Sequence, residues 1–402
     1  MLGDRGGAVV RGRLRLTGVA VVASSALLLV AGCTSTNPTP AAQAAVDAVE
    51  AVPSTVIEFV PASASTDVPP WQPVKVTAST GQLTAVTLTD AKGRAVAGEI
   101  APDGLTWTST DKLKVSQHYR LHAIAQDPKG RTTDRSGFFA TVAPRKVLET
   151  YVSPLDGQNV GVGMPVIVRF SERVKDRAAV EQAMTVTSSK PIVGSWSWVS
   201  DEEVHFRPQE FWPAYTKVAV DVDLKGVHAG RGVWGMENRT VRFRTGSAMI
   251  SVVDVDRHTL TVRRNGKKIR VIPVSTGKAG FLTRNGTKVV LEKHTLKVMD
   301  ARTIGISPGD PEYYRLDVPY AMRVTWSGEF VHGAPWSVAS QGRDNVSHGC
   351  VGMSMSNAIW LFNMSTVGDV IKVVGSPRGL EPGNGYTDWN VSWDEWTAGS
   401  AL

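Results

Sequence analysis

The sequence predicts a mainly β protein: two consecutive β-sandwiches, then a third β-rich unit with one short helix and a tryptophan-rich tail. Three observations carry this. Short runs alternate apolar and polar residues and are divided by clusters of Gly, Pro, Asn or Asp, in a chain holding 38 glycines and 22 prolines. The pattern also restarts, since Pro165, Val166, Ile167, Val168, Arg169 and Phe170 echo Pro73, Val74, Lys75 and Val76 after 92 residues. Residues 260–274 place Asn265-Gly266 between alternating runs, a strong short-range hairpin signal. At 402 residues the chain exceeds one ordinary core, and 20% charged with 42% hydrophobic residues is a globular balance.

Residues 1–32 read as an export signal. Arg5, Arg11, Arg13 and Arg15 precede an apolar stretch, residues 16–30, that is short for a membrane span. Val30, Ala31 and Gly32 followed by Cys33 resemble the lipobox of bacterial lipoproteins, which makes Cys33 the expected lipidation site. The plainer alternative is a secretory signal with an incidental cysteine. The resemblance implies an exported protein, lipid-anchored on the outer face of the cytoplasmic membrane and facing the cell wall; a multiply acylated cysteine anchors stably. Loss of residues 1–32 removes four arginines and Asp4 and takes the formal charge from +7 to +4. That mild excess suits an anionic envelope. No Lys/Arg-rich run or basic stripe interleaved with aromatics occurs, so the expected partners include no nucleic acid.

Residues 33–52, rich in Thr, Pro, Ala and Ser, read as a tether. Residues 53–146 form the first predicted sandwich: Val74 to Thr77, Val86 to Thr89 and Tyr119 to Ala123 alternate, with turns at Asp90 to Gly93 and Asp127 to Gly130. The boundary falls near residues 143–149. In the second, residues 147–248, Val218, Val220, Val222 and Leu224 alternate with Lys217, Ala219, Asp221 and Asp223, so one face is buried and the other wet. Turn spacing of ten or so residues makes both sandwiches immunoglobulin-like. Trp196, Trp198, Trp212 and Trp234 are open to two readings, a sugar platform or packing, and strand aromatics more often pack. The third unit, residues 249–375, is expected to contain a second hairpin at Asn285-Gly286, a helix capped by Ser356, and a last strand from Asp369 to Val374. The tail, residues 376–402, carries three tryptophans between Tyr386 and Trp396 and is expected to pack on the third unit.

Residues 332–350 hold the chemistry. They contain one of the chain's two cysteines and two of its eight histidines. If Cys33 is lipidated, Cys350 is an exported thiol without a partner, and reactivity is the best reason to keep it. A thiol of ordinary pKa, about 8.5, is mostly protonated at neutral pH. His332 is the candidate base, separated from Cys350 by 17 residues, a distance that lets the two meet on neighbouring strands. Gly349 and Gly352 let the backbone turn and aim N–H groups at an oxyanion. Other readings are an inert buried thiol, a satisfied core histidine, and zinc bound by His332, His348 and Cys350. The last lacks both the usual paired spacings and an acidic helper.

A histidine, 14 residues, then Ser347-His348-Gly349-Cys350 resembles the catalytic motif of the L,D-transpeptidases, and the likeness runs over about residues 250–402. With the lipobox, two immunoglobulin-like units and Trp-rich tail, the whole chain is similar to the mycobacterial type. The resemblance implies a peptidoglycan substrate and no cofactor. Cys350 would attack the third residue of a stem tetrapeptide donor, expel D-Ala and form a thioester. The side-chain amine of an acceptor stem would then resolve it as a 3→3 cross-link. His332 would be the acid/base, oriented by the Gly333 carbonyl, and His348 with Ser347 would support the loop. The backbone N–H groups of His348, Gly349 and Cys350 would form the oxyanion hole. Tyr314, Ser327, Gly328 and Met299 fall at substrate-contact positions, and Trp336 on the segment that lids the cleft. Carbapenems would acylate Cys350. One departure stands out: Gly352 occupies a position where the family usually carries Asn or Arg, which implies a changed rate or acceptor preference. A non-catalytic peptidoglycan-binding lipoprotein with a decayed site is the alternative.

Overall fold

The computed structural model describes residues 55–402, and the expectations for the export signal, Cys33 and the whole tether lie outside the described residues. The chain is mainly β. Its first sandwich sets a four-stranded sheet (Ile57–Val60, Lys75–Ala78, Thr106–Ser109, Gly98–Ile100) against a three-stranded one (Gln82–Asp90, His118–Gln126, Thr132–Ala140). Period-two burial is clear in His118–Gln126, where Tyr119, Leu121, Ala123 and Ala125 enter the core and Arg120 stays wet. Asp90 and Asp127 each accept backbone N–H groups two and four residues on, so a short acidic side chain closes both predicted turns.

The second sandwich faces Asn159–Val160, Asn238–Thr245, Lys217–Asp223 and Met184–Ser188 against Gly194–Ser200, Glu203–Pro208, Val166–Phe170 and Thr150–Ser153. Val218, Val220 and Val222 fill its core as the alternation requires. Trp196 and Trp212 belong to that core beside Phe206, and the Trp212 Nε1–H donates to the Met164 carbonyl at 2.8 Å. These two rings are packing, not platform.

The third unit pairs a five-stranded sheet (Lys267–Pro273, Thr259–Arg264, Met249–Asp254, Val370–Val374, Gly286–Val289) with a four-stranded one (Glu292–Asp300, Arg315–Arg323, Phe330–Gly333, Val351–Met353). Its core gathers Leu260, Val262, Ile272, Met322, Val331, Met353 and Leu361. Asn265 (φ 50°) and Gly266 (φ 78°) turn Thr259–Arg264 back onto Lys267–Pro273, as the Asn-Gly signal demands.

Three expectations need correction. Asn285-Gly286 is not a hairpin: Gly286 (φ +129°) lies outside the type I′ geometry, and Gly286–Val289 pairs with Val370–Val374 instead. The preceding residues run along the Cys350 loop, where Ser275 bridges Gly352 and Gly277 bridges Ser347. The helix Met355–Met364 begins two residues earlier than predicted, with Ser354 at its N-cap. The tail divides between two units. Its first part packs on the third unit as expected, the Asn285 N–H donating to the Arg378 carbonyl (2.6 Å) and the Leu380 N–H to the Asn285 carbonyl (3.0 Å), and its last part rests on the second sandwich. The Trp396 Nε1–H donates to the Ser195 carbonyl (3.0 Å) and that of Trp389 to Gly163 (2.7 Å), while the Arg207 guanidinium lies 4.7–5.3 Å from the rings of Trp389, Trp393 and Trp396. Carbonyls and a buried cation on that sandwich satisfy indole N–H groups and faces together. Asn390, bonded to the backbone of Thr287, ties the tail's 3-10 turn to the third unit's sheet.

Candidate active site

Two parallel strands bring the chemistry together. Phe330–Gly333 pairs with Val351–Met353 in a register that sets Val331 against Val351 and His332 against Gly352. Cys350 therefore enters this sheet one residue before the ladder, level with Phe330, while His332 stands at the end of its own strand.

His332 is buried, and its Nδ1–H donates to the Gly333 carbonyl at 2.8 Å. A carbonyl can only accept, so this bond places the proton on Nδ1 and leaves Nε2 with a free lone pair. Burial lowers the imidazole to about 4 against the opposing Gly333 bond, so the ring is neutral at neutral pH. The Trp336 ring stacks over it at 6.0 Å and is itself half exposed.

Burial likewise pushes the Cys350 thiol up to about 12. A Phe330 backbone hydrogen bond works against that rise, Glu329 adds to it, and Lys288 and Arg323 oppose it. The Cys350 Sγ lies 3.7 Å from the Gly328 carbonyl, an acceptor for a protonated thiol. The resting pair is thus thiol and neutral imidazole.

The loop before the nucleophile is braced by short polar side chains. Ser347 Oγ–H donates to the Cys350 carbonyl (2.6 Å) and accepts the Gly349 N–H (3.1 Å). Thr283 Oγ–H donates to the Gly349 carbonyl (2.8 Å) and accepts the Gly277 N–H (2.8 Å). Gly349 holds φ +117°, where a side chain would be strained. This differs from the expected oxyanion hole: the Gly349 N–H already has an acceptor, so only His348 and Cys350 keep N–H groups for that role. His348 faces outward, its Nε2–H bonded to Glu312 (2.7 Å) and its ring packed on Phe281 and Tyr314.

A cleft of about 200 Å³ opens between these elements, lined by His332, Ser347, His348, Cys350 and Gly352 and walled by Met299, Tyr314 and Trp336. Burial, with Cys350 adding to it, raises the Tyr314 hydroxyl to about 12, so it is a donor there. Ser327 does not line the cleft; it bonds Asn384 of the tail through both N–H and hydroxyl. Gly328 and Gly333 act through their carbonyls. Among the described residues no group of three His, Cys, Asp or Glu side chains is assembled to hold a metal ion.

Sequence reasoning missed a buried ion pair near the nucleophile. Lys288 and Glu329 are 1% and 5% exposed at their side chains and bonded to each other, and Glu329 also receives the N–H and guanidinium of Arg284. The signal was present: Lys288 is a lone cation in the apolar run Val289, Val290, Leu291, and Glu329 directly precedes Phe330 and Val331. Glu312, clamped between Lys278 and His348, carried no such signal.

A family model described as the L,D-transpeptidase catalytic domain matches residues 248–374, and one described as a bacterial Ig domain matches residues 65–228. L,D-transpeptidase 2 of Mycobacterium tuberculosis (strain CDC 1551 / Oshkosh) is 42% identical over 330 residues, 82% of this chain and 81% of that protein. The chain belongs to the L,D-transpeptidase family. L,D-transpeptidase 5 of Mycobacterium tuberculosis (strain H37Rv) is 35% identical across 87% of this chain and 78% of its own length. A solved L,D-transpeptidase in complex with imipenem shares 42% identity with a TM-score of 0.50, covering 57% of this chain and all of that one. The chain is a transpeptidase, as the motif at residues 332–350 implied, with an immunoglobulin-like part, as the strand pattern before it predicted.

Proposed function

We propose that this L,D-transpeptidase joins peptidoglycan stem peptides 3→3 through a thioester on Cys350. One observation carries the reading: the His332 Nδ1–H bond to Gly333 frees Nε2 beside the strand that presents the thiol. His332 Nε2 takes the Cys350 proton as sulfur attacks the carbonyl carbon of the donor's third residue. Both groups are neutral at rest, so proton transfer accompanies attack. The His348 and Cys350 N–H groups receive the oxyanion. Collapse breaks the peptide bond, and the departing D-Ala amine takes the proton back from His332. The acceptor's side-chain amine then attacks the thioester, gives its proton to His332, and releases the product as that proton returns to sulfur. Carbapenems follow the first half of this course and remain on the thiol. The motif at Cys33 supports a lipid anchor outside the cytoplasmic membrane, tested by the mass of the mature N-terminal peptide.

The test incubates the protein with disaccharide-tetrapeptide and follows D-Ala, dimer and intact mass together. Wild type is expected to release D-Ala and form dimer, and Cys350→Ala to do neither. Dimer from Cys350→Ala sinks the assignment, and D-Ala release without dimer makes the protein a carboxypeptidase.

A further inference from the structure

A second concavity, about 1180 Å³, lies in the seam between the second sandwich and the catalytic unit, and no residue lines both it and the thiol cleft. Four cations face it: Lys217, Arg242, Arg244 and Arg264. Their placement is written into the sheet. Lys217 pairs directly with Arg244 across Lys217–Asp223 and Asn238–Thr245, and Arg242 lies two residues along on the same wet face. Like charges directly opposite destabilise a strand pair, so this arrangement needs another reason to exist.

Several cations elsewhere on the chain do find acidic partners. Lys146, Arg169, Lys175 and Arg177 each meet a carboxylate at 2.7 Å or less. Among the described residues, none of the four groove cations has a carboxylate within ion-pair distance. Two acids line the groove, yet neither serves them. Asp156 is turned to the Arg242 backbone N–H (2.8 Å), and Asp369 is buried and accepts the Thr366 N–H (2.8 Å). Around the cations stand neutral donors, the hydroxyls of Thr187, Ser188 and Ser189, and Tyr215, whose hydroxyl accepts from Asn265. A concave, unneutralised set of guanidinium and ammonium groups backed by hydroxyls suits oxyanions spaced along a strand.

We propose that this seam is a docking groove for the carboxylates of a peptidoglycan strand, separate from the site of chemistry. The proposal rests on the substrate reading above, since stem peptides repeat free carboxylates along the wall. Held there, a strand presents its neighbouring stems to the thiol cleft at raised local concentration.

The test uses the full chain with Cys350 blocked by a carbapenem, so that the thiol cleft cannot hold the wall. Wild type and Lys217→Glu/Arg244→Glu are sedimented with peptidoglycan sacculi stripped of attached polymers, at low salt and at 1 M salt. Binding at low salt is expected to fall at least about tenfold in the double variant, and in wild type at high salt. Acylation by the carbapenem is expected to be unchanged. Lys217→Gln/Arg244→Gln, which keeps the strand pairing without reversing charge, is expected to lose binding to a lesser degree and decides the matter if the reversed variant does not fold. Equal sedimentation of wild type and the variants overturns the proposal. So does a groove that takes up polyphosphate but neither sacculi nor soluble tetrapeptide. If Cys350 resists acylation, the thiol reading fails on that result alone, and sedimentation of Cys350→Ala still scores the groove.

Discussion

At the scale of single residues, the reaction depends on two groups that burial pushes in opposite directions. His332 is lowered to about 4 and Cys350 raised to about 12, so between those values the site holds a neutral base and a thiol. The second-order rate of carbapenem acylation is therefore expected to be flat from about pH 5 to pH 9 and to fall on the acid side with a midpoint near 4. A midpoint between 6.5 and 9 would show a thiolate–imidazolium pair instead. His332→Ala should slow acylation by about 10²- to 10⁴-fold. Gly352 is decided by space. A Cβ added there would lie 2.9 Å from the Ala334 Cβ and 3.9 Å from His332 Cε1. Gly352→Asn, which supplies the side chain the motif resemblance leads one to expect, must therefore displace Ala334. We expect it to cost about 1–3 kcal/mol in denaturant unfolding and to slow acylation by shifting His332. Unchanged stability would mean that the strand gives way freely.

Among elements, the strand Gly286–Val289 contributes the feature that sequence reasoning did not reach. Lys288 sits in it fully buried against Glu329. Removing one partner of a buried pair strands the other, so Lys288→Met should cost about 3–5 kcal/mol, and Lys288→Met/Glu329→Leu should recover most of it. A single variant as stable as wild type would disprove the pairing. Locally coded elements were legible: the Asn265-Gly266 hairpin needs only its own dihedrals, and the valines of Lys217–Asp223 declare their face by period two. The Asn285-Gly286 error and the Lys288–Glu329 pair share one cause, since both are settled by partners 41 to 94 residues away that a single strand's pattern does not contain. The tail is of the same kind. His205 donates from both ring nitrogens, to Asp388 of the tail (2.6 Å) and to Glu203 (2.7 Å). Burial opposes its charge, but these bonds outweigh burial and hold it up to about 9. A raised pKa contributes stability that is full below 6.5 and lost as pH rises through 9. The lowered His332 acts at the other end, its destabilisation appearing below 6.5 and complete below about 4. Asp388→Asn should therefore lower the thermal midpoint at pH 7 more than at pH 10; an equal drop at both would mean that His205 is uncharged in the fold.

For the whole molecule, the decisive matter is how unequally the three β units are joined. The described link between the body of the first sandwich and the second is slight: Trp71 lies under Lys225 at 4.9 Å and beside Gly226, and the connecting residues Arg145 to Val147 pair with Val233–Trp234. The second sandwich and the catalytic unit, by contrast, are fused through backbone. Gly161 N–H donates to the Val367 carbonyl and Gly163 N–H to Gly368, both at 2.8 Å, and Val370 belongs to the sandwich's core. A Cβ on Gly161 would fall 2.1 Å from the Asp369 nitrogen, a collision no rotamer relieves, so these two glycines exist to let main chains touch. The tail adds the Trp389 and Trp396 bonds across the same junction. Removing residues 53–144, which keeps the pairing of Lys146 with Val233, should leave the thermal midpoint of the remainder and its carbapenem acylation nearly unchanged, because little buried surface is lost. Removing residues 53–248 should strip the cover from Val370 and the partners from Trp389, Trp396 and Asp388, and lower the midpoint sharply even though Cys350, His332 and every cleft-lining residue remain. Midpoint and acylation measured on both truncations separate the two cases. A catalytic unit that keeps full stability without its sandwich would show the fused seam to be dispensable for folding, and would leave only the docking groove to account for the second sandwich's place in the chain.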